Sequence, residues 1–250
     1  MDILILTLLF LLGLCVGSFC NVLILRIPKG EEFVKTSSHC MTCGHDLSWY
    51  ELIPVVSWLA QGGKCRSCGT KLSPQYPIVE ALNGLMWLLT GLRFQGDWLL
   101  VLLYCILFSM LLTLSVIDWR TFTIPNGINL VILILGIVRV LMDRQNWLGY
   151  VIGMVAVGGT FLLLNLLTRG QGLGMGDVKL VGAAGLLLGL PKMVLAIIIG
   201  SLSGAIIHSV RMKHGADRRL AFGPYLAAGI WLSTLVGGPL IKAYLSLFGL

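Results

Sequence analysis

The chain has 250 residues, of which 57% are hydrophobic and only 12% charged, and its mean hydropathy is +0.92. A soluble domain carries roughly 25% charged residues, so the composition excludes an ordinary soluble globular protein. The net charge of +7 does not argue for nucleic acid, because the Lys and Arg residues are scattered through short loops where they set orientation in a membrane.

In chain order, apolar runs predict about eight spans of a hydrocarbon core ~30 Å thick. They cover Ile3–Leu25, Pro77–Leu92, Trp98–Ile117, Ile124–Leu141, Leu148–Leu167, Val178–Leu190, Met193–Val210 and Phe222–Phe248. The first run has no basic n-region and no small-residue cleavage site, so it reads as a retained span rather than a secretory signal. The sixth is short and Gly-rich, and as a re-entrant piece it would leave seven spans. Eight spans put most of the 18 Lys and Arg residues on one side, and seven spans weaken that asymmetry. The positive-inside rule therefore favours eight, with both termini outside and the 26–76 loop in the cytoplasm. The expected fold is an all-α polytopic membrane protein of about eight transmembrane helices with a small cytoplasmic four-cysteine zinc-binding loop domain. It divides into residues 1–25 as a first helix, 26–76 as that loop domain, and 77–250 as a helical bundle.

The loop carries Cys40-Met41-Thr42-Cys43-Gly44 and Cys65-Arg66-Ser67-Cys68-Gly69, with 21 residues between the two pairs. Each C-x2-C turn presents two thiolates, and the following glycine tolerates the positive φ such turns need. Two disulfides are the alternative, and a reducing cytoplasm argues against them. Four thiolates leave no open position, so a zinc ion there is structural. His39 and His45 flank the first pair as competing ligands or solvated loop residues. Cys15, Cys20 and Cys105 fall inside spans as small apolar residues.

Two acids stand at span ends. Asp118 lies in "SVIDWRTFTIPN", closing the third span, and Asp177 in "GMGDVKL", opening the sixth. The eight-span topology puts both at the cytoplasmic edge. Paired carboxyls share a proton and act as acid and base on one water, which is what attack on a peptide carbonyl needs. Gly172, Gly174 and Gly176 would admit an extended substrate backbone beside Asp177. Taken singly, Asp177 also fits a helix cap, and Asp118 a partner of Arg120 or Lys179. Lys179 either tunes the pair or snorkels to the surface.

With these residues in place, the chain resembles the type IV prepilin peptidases, which are bacterial membrane aspartic proteases that often also act as N-methyltransferases. "GSFCNVLILRIP", the two C-x2-C pairs, "WYELIPVVSWL", "GGKC", "YPIVE", "DWRTFTIPN", "GMGDVKL" and "FGPYLAAG" carry the resemblance along nearly the whole chain. It implies an enzyme of the cytoplasmic (inner) membrane with its site facing the cytoplasm. Such an enzyme cuts the basic leader of type IV prepilins or pseudopilins after a glycine and methylates the new amine from S-adenosylmethionine. By resemblance Asp118 and Asp177 are the catalytic pair. Cys40, Cys43, Cys65 and Cys68 hold the metal, and Gly63 and Lys64 belong to the methyl-transfer motif. The sequence shows no G-x-G-x-x-G loop, so methyl transfer rests on the resemblance. Prepilin and membrane lipid are the expected partners, with no nucleic acid. The competing readings are a proton-coupled transporter using the two aspartates as a relay, and a redox or metal sensor built on the cysteines. The stretch Arg211–Arg219 suits anionic lipid.

Overall fold

The computed structural model describes residues 3–33, 37–215 and 219–247. Phe248, the expected end of the last span, and Arg218 of the basic stretch lie outside the described residues. The helices are α1 (Ile3–Arg26), α2 (Val56–Ala60), α3 (Gln75–Arg93), α4 (Trp98–Thr121), α5 (Asn126–Met142), α6 (Trp147–Leu167), α7 (Met175–Leu188), α8 (Leu190–Lys213) and α9 (Gly223–Ser246). The eight longer helices match the eight expected spans. Among the described residues, five of them (α1, α4, α6, α8 and α9) are long and apolar enough to cross a membrane by length and composition. The protein is a multi-pass helical membrane protein. The chain forms two compact units, Met1–Thr113 and Leu114–Leu250, with the boundary inside α4.

In the first unit α1 runs against α3 at very close range. A Cβ on Gly13 would lie 2.8 Å from the Gly84 Cα, and one on Gly17 would lie 2.7 Å from the Glu80 Cα. Small residues permit that approach, and buried polar groups then bind across it. Asn83 Nδ2 donates to the Gly13 carbonyl at 2.7 Å, and Asn83 Oδ1 accepts from Ser109 Oγ at 2.8 Å. Ser109 Oγ in turn accepts from the Trp87 indole at 3.0 Å. Trp87, Val101 and Cys105 form the apolar core beside this network.

The loop between α1 and α3 is tied to both helices. Arg26 donates to the carbonyls of Glu32 (3.1 Å) and Ser37 (2.9 Å), and Asn21 Nδ2 donates to that of Tyr76 at 3.1 Å. Val55, with φ 63°, donates its N–H to Glu80 Oε2 at 2.7 Å. A β-branched residue rarely adopts that backbone conformation, and the bond to the buried carboxyl holds it there.

In the second unit α7 lies at the centre, packed against α5, α6, α8 and α9. Its 14 residues span about 21 Å, less than a hydrocarbon core. Leu180 to Leu188 are buried throughout, so α7 is surrounded by protein rather than lipid. This explains the short, Gly-rich run that read ambiguously in the sequence. Gly185 meets Gly153 of α6, where a Cβ would lie 2.6 Å from the Gly153 carbonyl oxygen. Across α8 and α9, a Cβ on Gly229 would land on the Ala196 carbonyl. The turn between α7 and α8 is the single residue Gly189, at φ 77°.

Candidate active site

Asp118 sits near the C-terminal end of α4. Its carbonyl accepts the N–H of Phe122 (2.8 Å), and Phe122, at φ 54°, ends the helix. Pro125 then sets the extended backbone from which α5 starts. The Asp118 side chain is buried, with the residue 5% exposed, and its Oδ2 accepts the backbone N–H of Gly223 at 2.9 Å. That N–H belongs to the first residue of α9, and a helix start offers unpaired N–H groups to an acid. Gly223 has to be small, because a Cβ would lie 2.8 Å from that same Oδ2.

Asp177 occupies the first turn of α7. Oδ1 is buried without a hydrogen-bond partner among the described residues, and Oδ2 lies against Gly174, where a Cβ would sit 3.1 Å away. The two aspartates are within electrostatic reach of each other, at one end of the second unit. Lys179 does not pair with either acid; its Nζ donates to Asn126 Oδ1 at 2.8 Å. The glycines beside Asp177 serve the chain's own packing. Gly176 closes on Ile124 and Gly172 on Thr168, each with a Cβ at 3.0 Å.

Sequence reasoning passed over three groups that hold this end together. Gly223 supplies the N–H on Asp118. Asn129 Nδ2 donates to the Gly176 carbonyl at 3.2 Å, and Asn165 Nδ2 donates to the Leu173 carbonyl at 2.6 Å. Two amides inside apolar helices were the available signal, since polar groups at such positions find specific partners. Arg211 of the basic stretch lies over the Trp119 ring, 4.3 Å from its centroid, next to Asp118 in the chain.

The first unit brings Cys40, Cys43, Cys65 and Cys68 together, their Sγ atoms all within 4.8 Å of one another. All four are free thiols, not disulfides. The two turns are alike. His39 bridges to Asp46 and Lys64 to Lys71, Gly44 donates to the Cys40 carbonyl as Gly69 does to that of Cys65 (both 2.9 Å), and the glycines have φ 71° and 72°. A tetrahedral ion with bonds of about 2.3 Å separates its sulfurs by about 3.8 Å, and Cys40 Sγ and Cys68 Sγ are 3.9 Å apart. The Thr70 hydroxyl and amide bring the Cys68 thiol down to about 6. The histidines do not join this cluster: His39 Nδ1 faces the Ser37 carbonyl, and His45 Nε2 faces Glu51 Oε2 at 3.2 Å.

Beside the cluster lies a cavity of about 270 Å³ lined in part by Cys40, Cys65, Glu51, Trp58 and Gln61. The Glu51 side chain is only 2% exposed. Its Oε2 accepts the Ser48 N–H at 3.0 Å, and this bond, with His45 as second partner, holds the carboxyl below the usual range. Glu51 Oε1 and the Trp58 indole nitrogen are buried without partners among the described residues. Gly63 (φ 67°) lies behind Trp58, where a Cβ would meet the indole ring at 2.8 Å. Lys64 is exposed and pairs with Lys71 through its backbone. Of the two motif residues, Gly63 therefore bears on the cavity, through Trp58.

Fold and site together define a multi-pass helical membrane protein with one buried and one half-buried carboxyl at one end of a helix bundle and a four-thiol cluster in a loop. Residues 11–94 match the family described as the Bacterial Peptidase A24 N-terminal domain, and residues 105–209 match the Type IV leader peptidase family. Among similar proteins is a prepilin leader peptidase/N-methyltransferase of Xanthomonas campestris pv. campestris, 34% identical over 96% of this chain and 94% of its own. Proteins of the same description from Pseudomonas aeruginosa (32%; 96% and 93%) and Bacillus subtilis (34%; 97% and 98%) are also similar. No solved structure matches the chain. The chain belongs to the type IV leader peptidase family.

Proposed function

We propose that the chain is an aspartic endopeptidase of the bacterial inner membrane. It removes the basic leader of type IV prepilins or pseudopilins after a glycine, then N-methylates the new terminus. The observation that carries this reading is the pair Asp118 and Asp177, two carboxyls within reach of each other at one end of the α5–α9 bundle. Two carboxyls in one site share a proton. The ionised one takes a proton from water as the water oxygen bonds to the glycine carbonyl carbon, and the protonated one gives its proton to the carbonyl oxygen. The C–N bond then breaks: the leaving amine receives a proton from the carboxyl that first took one, and a hydroxyl of the tetrahedral diol returns its proton to the other carboxylate, which restores the pair. Asp177 Oδ1 has no hydrogen-bond partner among the described residues, so no group there holds the carboxyl in either protonation state. Nothing in the site favours the transporter reading, and the family membership speaks against it.

The bias of Lys and Arg supports a cytoplasmic position for this end of the bundle. It also supports the division into a first helix (1–25), a cytoplasmic domain (26–76) and the peptidase bundle (77–250). Cys40, Cys43, Cys65 and Cys68 would hold a structural zinc ion, which the sulfur spacing suits. S-adenosylmethionine, when bound, supplies the methyl group. The cavity beside the cluster fits such a molecule by its unpartnered acceptor and donor: Glu51 Oε1 would accept from it, and the Trp58 indole, seated by Gly63, would donate.

The test is mass spectrometry of a prepilin incubated with the purified protein in detergent, with and without S-adenosylmethionine. The expected product begins after the leader glycine and gains one methyl group only when the donor is present. An intact prepilin under both conditions contradicts the proposal.

A further inference from the structure

Residues 52–60 of the loop, LIPVVSWLA, carry no charge, and every exposed residue among them is apolar. Leu52, Ile53, Val56 and Leu59 face outward, Val56 at 59% and Leu59 at 63% exposed. A loop standing in water breaks such a run with polar groups, and a contiguous exposed apolar patch marks a contact surface. Where the run lies tells what it meets. Leu52 and Trp58 line one cavity with Ser18, Val22 and Leu25 of α1, so the run lies along the last turns of a helix apolar and long enough to cross a membrane. The Val55 N–H reaches Glu80 Oε2 at 2.7 Å. Glu80 stands inside α3, about 7.5 Å along the axis from its first residue, Gln75. On either side of Glu80, Ile78 and Leu82 are exposed apolar residues of the same helix. Trp49 and Tyr50 precede the run, both exposed, and the Arg66 guanidinium lies 5.4 Å from the centroid of the Tyr50 ring. Aromatic rings with a basic group beside them suit the headgroup level of a bilayer.

We infer that the face of Ile53, Val56 and Leu59 is sunk into the boundary between headgroups and acyl chains of the surrounding bilayer. The four-thiol loop is then a membrane-seated domain rather than one standing free in water. Interfacial segments bury their apolar face about 5–10 Å deep, which agrees with the level of Glu80 on α3. The lipid that covers Ile78 and Leu82 extends over the loop without a break, so the patch needs no protein to cover it. The five residues of α2 are too few to hold a helix alone, and the bilayer supplies the apolar contact that such a short element lacks. The inference depends on the membrane fold and not on the peptidase reading.

The test uses the full chain in vesicles of phosphatidylethanolamine and phosphatidylglycerol. A photoreactive phenylalanine analogue replaces Leu59 in one variant and Val56 in another, each first shown to unfold at the wild-type temperature. Irradiation followed by intact-mass measurement is expected to show phospholipid adducts at both positions, in yield comparable with the analogue at Leu12, an exposed residue of α1. The absence of a lipid adduct at either position, where position 12 gives one, overturns the inference. Adducts at 56 and 59 to a second copy of the chain in place of lipid also overturn it.

Discussion

In the loop of the first unit, Gly44, Gly63 and Gly69 adopt φ of 71°, 67° and 72°, a backbone that side chains resist. In the bundle, Gly153, Gly185 and Gly229 lie inside α6, α7 and α9, each against the backbone of another helix. The same residue answers two demands, conformational freedom in one region and close approach in the other. The loop is held mainly by local turns and four thiols, with a few hydrogen bonds from Arg26 and Glu80 tying it to α1 and α3. The bundle is held by contacts between residues far apart in the chain. Damage should therefore spread differently in the two regions: a change in the loop stays with the loop, and a change at a helix crossing reaches the whole bundle.

The largest effect is expected at such a crossing. Gly229→Leu drives a side chain into the Ala196 carbonyl and should cost about 3 kcal/mol or more, with loss of the folded fraction in detergent. A thermal unfolding midpoint equal to wild type would break the comparison. In the loop, Cys40→Ser or Cys65→Ser should lose bound metal, as read by elemental analysis, and should reduce methylation more than cleavage. Equal loss of both activities would mean that the loop does not fail locally. The smallest effect is expected at Asp143, between α5 and α6. Tyr150 Oη donates to it at 2.7 Å, and this bond, with Asn146 and Arg139, holds its carboxyl below the usual aspartate range. A depressed folded value stabilises the protein above the unfolded value of about 3.9, and the contribution is lost as pH falls through the folded value. The stability gap between wild type and Asp143→Asn should be full at neutral pH and close in acid. A gap that does not vary with pH would assign the effect to packing.

What could be read in the sequence follows the same division. The C-x2-C-G turns were legible because their chemistry is complete within five residues each, and the structure brings all four thiols together. Asp118 and Asp177 stood out as acids at the ends of apolar runs, and the structure places them at one end of the same unit. The N–H that Gly223 gives to Asp118 was not legible, because the two residues are 105 positions apart and a backbone group has no signature of its own. The sixth apolar run was ambiguous for a physical reason: α7 is buried by protein from Leu180 to Leu188, so neither its length nor its pattern follows the rule for lipid-facing helices. Asn129 and Asn165 were visible as amides in apolar helices, but the carbonyls they bind lie in a loop and a helix start that only the fold brings near.

The central claim is that Asp118 and Asp177 act as one pair. Leader cleavage by purified wild type, Asp118→Asn and Asp177→Asn, each first shown to be folded and inserted, tests it most directly. The account predicts that each single replacement lowers cleavage by about 10³-fold or more, and that the double replacement is no worse than either alone. Cleavage at the wild-type rate by either variant would contradict it.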